Sequence, residues 1–263
     1  MQLGVCAGPE YAPAAMQAGL DYFEWSVGAF LQPRQEAESF TAIFQKVKAA
    51  PLPCPAVNVF IPGELKITGP TVDMTALTRY AETALERARL AGIQVIVFGS
   101  GGARRVPDGF DRQTAEEQLI KFGRMLGKHA SQAGVTIAVE PLNRQECNIL
   151  NSVTESAVYV RRVDHPSVRL LVDAYHWAKE GEKPEAIMQN GDILVHAHIA
   201  TKNNRQPPGA EEFDFVPFFQ ALRQAGYQGR LSIEAALPAV DEQSKLVNTL
   251  QNAVYLMRSL ATG

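Results

Sequence analysis

Four ionisable residues in the second half of the chain each close an apolar run. Glu140 follows Ile137-Ala138-Val139, Asp173 follows Leu170-Leu171-Val172, His198 follows Val195-His196-Ala197, and Glu234 follows Leu231-Ser232-Ile233. A charge at the end of a buried run must be paired or must bind a metal, because an isolated carboxylate in a low-dielectric interior is very costly. Three carboxylates converging with one imidazole repel one another unless a cation sits among them. Such a donor set is mostly oxygen with one nitrogen. It suits one divalent ion of the Mn2+, Mg2+ or Co2+ kind better than a thiolate-seeking metal, with Zn2+ also admissible. Taken singly, each residue reads as an N-cap or a solvated loop charge; four on successive runs do not.

For these four to meet, the runs that carry them must lie side by side. Eight short, bulky, apolar runs alternate with longer amphipathic stretches along the 263 residues: Gln2–Cys6, Tyr22–Ser26, Ala56–Phe60, Val95–Phe98, Thr136–Glu140, Val168–Asp173, Val195–Ala200 and Arg230–Glu234. Their weak periodicity is that of strands buried on both faces. Between them, Asp73–Ala91 reads as a helix ending at Gly92, Leu119–Ala133 as one ending at Gly134, and Phe215–Ala225 as one ending at Gly226. Pro184 opens a further helix, Pro184–Asn190, at a position where proline is tolerated. This alternation predicts an α/β fold: a single closed (β/α)8 TIM barrel over residues 1–263, close to the roughly 250 residues typical of such barrels. An open doubly wound sheet would carry a Gly-rich phosphate turn after the first strand, and Gly4-Val5-Cys6-Ala7-Gly8-Pro9 is not one. Barrel chemistry sits at the C-terminal strand ends, which puts all four residues at one mouth.

Composition narrows the function classes. The chain is 46% hydrophobic, typical of a folded globular protein, and its 25 Lys plus Arg against 28 Asp plus Glu give a net charge of -3. No basic surface for nucleic acid is implied. The longest uncharged stretch, Ala49–Gly63, is too short for a membrane span and contains four prolines. No Lys or Arg precedes Arg34, so a positively charged leader is not expected, and three widely spaced cysteines fit neither a disulfide framework nor a Cys-based zinc site. The expectation is a cytoplasmic protein with a small-molecule partner, and a homo-oligomer is compatible with it.

Glu140-Pro141-Leu142-Asn143-Arg144-Gln145-Glu146, then Asp173-Ala174-Tyr175-His176, then His196-Ala197-His198 with Asn203-Asn204-Arg205 and Pro208-Gly209, then Ile233-Glu234, run in order through most of the chain. Together they resemble the ketose 3-epimerases of the D-tagatose and D-psicose type, in the xylose-isomerase-like sugar isomerase/epimerase superfamily of (β/α)8 barrels. The resemblance implies one divalent metal, commonly Mn2+, held by Glu140, Asp173, His198 and Glu234. It also implies that Glu140 and Glu234 exchange protons on opposite faces of a sugar carbon, and that Glu146, His176 and Arg205 contact substrate hydroxyl and carbonyl oxygens. The implied enzyme is an isomerase of carbohydrate metabolism acting on a ketose or keto-sugar.

Other readings compete. Hydroxypyruvate isomerases and inosose dehydratases share the superfamily. A DNA-repair nuclease of the endonuclease IV kind needs more histidines than the five here, and a non-catalytic sugar-binding barrel has no use for two bases. The loop after His198 departs from the epimerase pattern: Arg205 stands seven residues on, Lys202 replaces a usual acid, and 208–214 lacks a second glycine. These departures leave the sugar open. His196 reads as a hydrogen-bonded interior residue, and Arg144 as a partner for a carboxylate. Gly99-Ser100-Gly101-Gly102, beside Arg104 and Arg105, reads as a flexible mouth loop. His129 and His165 read as surface residues, and Trp25 and Phe30 as either a sugar wall or core packing.

Overall fold

Eight strands pair side by side in sequence order and the last pairs with the first, closing a parallel barrel. The computed structural model describes residues 1–262. The strands are β1 (Gln2–Cys6), β2 (Tyr22–Ser26), β3 (Ala56–Asn58), β4 (Val95–Phe98), β5 (Thr136–Val139), β6 (Val168–Asp173), β7 (Leu194–Ile199) and β8 (Arg230–Ile233). The predicted closed α/β barrel is therefore the fold. β3 is shorter than expected because Val59 turns into the left-handed region (φ 50), which breaks the ladder. β5 and β8 stop one residue short of Glu140 and Glu234. The backbone of each still follows the ladder, with Glu140 N–H donating to Phe98 O (3.1 Å) and Glu234 N–H to Ile199 O (3.1 Å).

The helices around the barrel are α1 (Ala12–Gln17), α2 (Val27–Phe30), α3 (Ala37–Lys48), α4 (Met74–Ala91), α5 (Gly101–Arg104), α6 (Arg112–Ala133), α7 (Val153–Val163), α8 (Ala174–Glu180), α9 (Glu185–Met188), α10 (Val216–Gln224) and α11 (Gln243–Thr262). Asp73 caps α4 by accepting from Thr75 and Ala76 N–H, and Gly92 ends it in the left-handed conformation. α6 begins seven residues before the predicted Leu119, because Asp111 caps it through Thr114 N–H (2.7 Å). Its first two turns are mostly polar and carry little periodicity. Pro184 precedes α9, which ends at Met188 rather than Asn190 as the chain tightens into a 3-10 turn at Gly191–Ile193.

Most apolar side chains pack between the strands and the helices. Trp25 stacks on the buried Phe30 there (6.1 Å between ring centroids), so this pair belongs to core packing. Inside the barrel the filling is of two kinds. Ala56, Val95, Val97, Ala138 and Leu171 form a small apolar cluster, while Glu24, His196, His198 and Ser232 are fully buried polar groups. Tyr22 joins them, and its ring reaches so close to β1 that a Cβ at Gly4 would lie 2.3 Å from it. Among the described residues, no helix is long and apolar enough to cross a membrane.

Candidate functional site

Glu140, Asp173, His198 and Glu234 meet at the C-terminal mouth, with their ligand atoms all within 4.8 Å of one another. His198 Nδ1 lies 3.3 Å from Glu140 Oε1 and 3.3 Å from Glu234 Oε2. Asp173 ends β6 and caps α8 by accepting Tyr175 N–H through Oδ1 (2.8 Å), while its Oδ2 is buried with no hydrogen-bond partner. An orphaned buried carboxylate oxygen aimed into a ring of donors fits a divalent ion. The electrostatics agree with that fit. Burial, then the charges of Glu234 and Glu140, push the Asp173 carboxyl up to about 7, and burial and Glu234 raise Glu140. Burial would raise Glu234 too, but the His198 imidazole and the Arg205 guanidinium hold it down at about 2. The cluster is a buried site short of positive charge.

A residue missed by sequence reasoning supports it from below. Glu24, mid-strand on β2 and fully buried, accepts from His198 Nε2 (3.0 Å), His196 Nε2 (2.8 Å) and Ser232 Oγ (2.7 Å). Burial alone would raise this carboxyl, yet the two imidazoles hold it well below the usual range. Bonded this way, His198 presents Nδ1 to the mouth, the arrangement in which a carboxylate orients a metal-binding imidazole. His196 is the interior hydrogen-bonded residue expected. The one signal for Glu24 was an unpaired acid inside an apolar run, the argument already applied to Glu140 and Glu234.

The three predicted substrate contacts face the same mouth. Arg205 Nη2 donates to Glu234 Oε2 (2.6 Å), and Nη1 lies 3.5 Å from Glu146 Oε1. The guanidinium sits 4.6 Å from the Tyr175 ring centroid, a cation–π contact. Arg205 adopts a left-handed backbone (φ 50), held by its own N–H donating to Thr201 O (3.2 Å) and its carbonyl accepting from Ala236 N–H (2.9 Å). His176 on α8 is buried, with Nε2 3.6 Å from Asp173 Oδ2 and 4.0 Å from Glu146 Oε2. All seven residues singled out in the sequence are thus brought to one place.

Other expectations are corrected. The Gly99–Gly102 segment is not a free loop: Gly101–Arg104 forms α5, and Ser100 Oγ accepts Ile61 N–H (2.9 Å). Arg104 turns inward and is fully buried. It donates to the carbonyls of Phe98 (3.2 Å), Glu140 (2.8 Å) and Leu150 (3.3 Å), and so fixes the backbone beneath Glu140. His129 and His165 are half-buried rather than superficial; His129 faces Glu82, and the His165 ring packs on Gly127. Arg144 pairs with Glu180, as expected of it.

A protein-family model described as xylose isomerase-like TIM barrel matches residues 12–252. Among characterised proteins, the 3-dehydro-D-guloside 4-epimerase of Escherichia coli (strain K12) is 33% identical over 132 residues, 50% of this chain and 48% of that one. The L-ribulose 3-epimerase of Methylomonas sp. (strain DH-1) is 29% identical over 168 residues, 64% of this chain and 56% of that one. The matched segments thus span about half the length of these relatives. In three dimensions, the D-psicose 3-epimerase of Clostridium cellulolyticum H10, solved with D-tagatose, superposes with a TM-score of 0.84 at 20% identity, covering 99% of each chain. The IOLI protein, solved with a zinc atom, gives a TM-score of 0.76 at 17% identity, covering 100% of this chain and 98% of that one. With the barrel, its order and the match over residues 12–252 in agreement, the chain belongs to the xylose isomerase-like TIM barrel family.

Proposed function

We propose that the chain is an isomerase: a metal-dependent sugar epimerase or isomerase that acts on a ketose or keto-sugar. The observation that carries this reading is the pair of carboxylates, Glu140 and Glu234, on either side of His198 Nδ1 at 3.3 Å each, with Arg205 and His176 in the same mouth. The epimerases among its relatives support it.

Glu140, Asp173, His198 and Glu234 would hold one divalent ion, Mn2+ in the first instance. When bound, it supplies Lewis-acid stabilisation of the negative charge that develops when a proton next to a ketone is lost. The chain's own residues do the rest. One glutamate removes the proton from the sugar carbon, and the other returns a proton to the opposite face, which inverts the centre; one base alone would give only exchange. The two carboxyls are not equivalent, since His198 and Arg205 face Glu234 and hold it low while burial and Glu234 raise Glu140. Arg205 donates to sugar oxygens from a guanidinium steadied by Tyr175, and Glu146 and His176 complete the polar wall.

The test is incubation of Mn2+-, Mg2+-, Co2+- and Zn2+-loaded protein with a panel of ketoses and keto-sugars in D2O, reading the label by NMR. Solvent deuterium at the inverted carbon is the expected result. Product without solvent label means direct hydrogen transfer between carbons, and no turnover of any ketose with any of the four ions refutes the reading.

A further inference from the structure

His176 is more tightly specified than a residue that merely lines a pocket. Both ring nitrogens are buried, and their surroundings differ completely. Toward Nδ1 point two donors of the same residue: Asn143 N–H at 3.1 Å and the Asn143 side-chain amide nitrogen at 2.9 Å. The amide nitrogen also donates to Glu146 Oε1 (3.0 Å), and Asn143 Oδ1 accepts Gln145 N–H (3.0 Å). These two bonds fix which end of the amide faces the ring. Nδ1 therefore meets only N–H groups and can act only as an acceptor. Nε2 has no hydrogen-bond partner in the protein and faces the mouth, between Asp173 Oδ2 (3.6 Å) and Glu146 Oε2 (4.0 Å).

A neutral imidazole carries one proton, and the hydrogen bond made by one nitrogen decides what the other does. We infer that Asn143 is a positioning residue that locks His176 as the Nε2–H tautomer, so that a neutral imidazole donates its one proton outward, to an oxygen of the bound molecule. On the proposed function, that oxygen is a carbonyl or hydroxyl of the sugar. A neutral donor polarises a carbonyl without delivering the proton, which leaves proton transfer to the two glutamates. The Asn of the Glu-Pro-Leu-Asn-Arg segment thereby acquires a role: it reaches across from the segment after β5 to set the chemistry of a residue on α8.

The experiment is nitrogen-15 NMR of histidine-labelled full-length protein near pH 7.5, without sugar, so it does not depend on knowing the substrate. His176 is assigned by the signal lost in His176→Gln. The expected spectrum has Nδ1 as an unprotonated, pyridine-type nitrogen and Nε2 as a protonated, pyrrole-type one. In Asn143→Asp the amide donor is replaced by an acceptor, and Nδ1 should gain a proton. On whichever ketose proves active, the same variant should lose at least about tenfold in kcat with a smaller change in KM, against a ceiling of about 10²–10³-fold for deleting a donor outright. A protonated Nδ1 in the unmodified protein overturns the inference, as does an Asn143→Asp variant with unaltered His176 signals. Should that variant fail to fold, the spectrum of the unmodified protein decides alone. Absence of turnover on every ketose, with the tautomer as stated, refutes the functional reading and leaves the lock standing.

Discussion

Gly99, the residue after β4, is the most incisive place to perturb the site without touching a predicted ligand. A Cβ built there would lie 2.3 Å from Glu140 Oε2 and 3.4 Å from its carboxyl carbon. Ordinary contact between such atoms is about 3.5 Å, so in Gly99→Ala the oxygen must retreat by about 1 Å. The backbone of Glu140 cannot follow, since its N–H is bonded to Phe98 O and its carbonyl to the buried Arg104. The side chain must rotate, and Oε2 cannot move without disturbing Oε1, which stands 3.3 Å from His198 Nδ1. Gly99 itself is outside the left-handed region, so the added methyl acts by contact rather than by backbone strain. Misplacing a reacting group by 1 Å costs about 10²-fold in rate, equivalent to about 2.7 kcal/mol of barrier. The assays are steady-state turnover on the best ketose and titration of the metal by calorimetry. Gly99→Ala should lose about 10²-fold in kcat and about tenfold or more in metal affinity. Gly28→Ala, whose Cβ would meet nothing within 4 Å, should behave as the parent. A Gly99→Ala protein with parental rate and affinity would refute the claim that Glu140 must stand where it does.

Glu140→Gln and Glu234→Gln keep an oxygen donor and the side-chain shape while removing the base, and each should slow turnover by at least about 10²-fold; full activity in either removes that residue from the mechanism. Metal affinity should depend on pH in one direction. Because the Asp173 carboxyl titrates at about 7 and the buried Glu24 carboxylate raises the His198 imidazole well above its ordinary value, the ion must displace protons from its own ligands, so affinity falls by at least about tenfold per unit as pH drops from 7 and goes on rising above it. Glu234, at about 2, stays ionised throughout that window, and a flat profile between pH 5.5 and 7 contradicts the assignment. Arg104→Met should cost only about 1–3 kcal/mol in urea unfolding, because Phe98 O and Leu150 O keep the N–H donors of Glu140 and Leu142 and the buried guanidinium is removed with its desolvation cost.

Glu140, Asp173, His198 and Glu234 are legible because strand ends carry their own mark, an ionisable residue after a bulky apolar run on β5 to β8, whereas Glu146, His176 and Arg205 rest on the family resemblance of their segments. What stayed hidden depends on partners distant in the chain. Glu24 stands between Phe23 and Trp25, and its donors come from β7 and β8. In the sequence Arg104 is one of two adjacent arginines beside a glycine-rich segment, and only the fold reveals that its partners are backbone carbonyls, which no side-chain pattern encodes. The first turns of α6 carry no apolar periodicity because Arg112–Gln118 is mostly polar, although Asp111 is a good capping residue. β3 ends before the apolar run does because Val59, a residue that favours strands, takes a left-handed conformation that its type disfavours.

The interior carboxylate of Glu24 also bears on how the chain is made. Its three donors lie 172, 174 and 208 residues downstream. During synthesis from the N-terminus, β2 therefore emerges long before the three groups that bond its acid in the folded barrel. Until β7 and β8 are in place, Glu24 has to stay hydrated or carry a proton, since a bare carboxylate in a dry lumen is very costly. The bonds that satisfy this carboxylate are the same ones that orient His198 and tie β2 to β7 and β8 across the lumen. A truncated product lacking β8 would leave Glu24 short of the Ser232 donor and one edge of β1 unpaired, an open sheet rather than a smaller barrel.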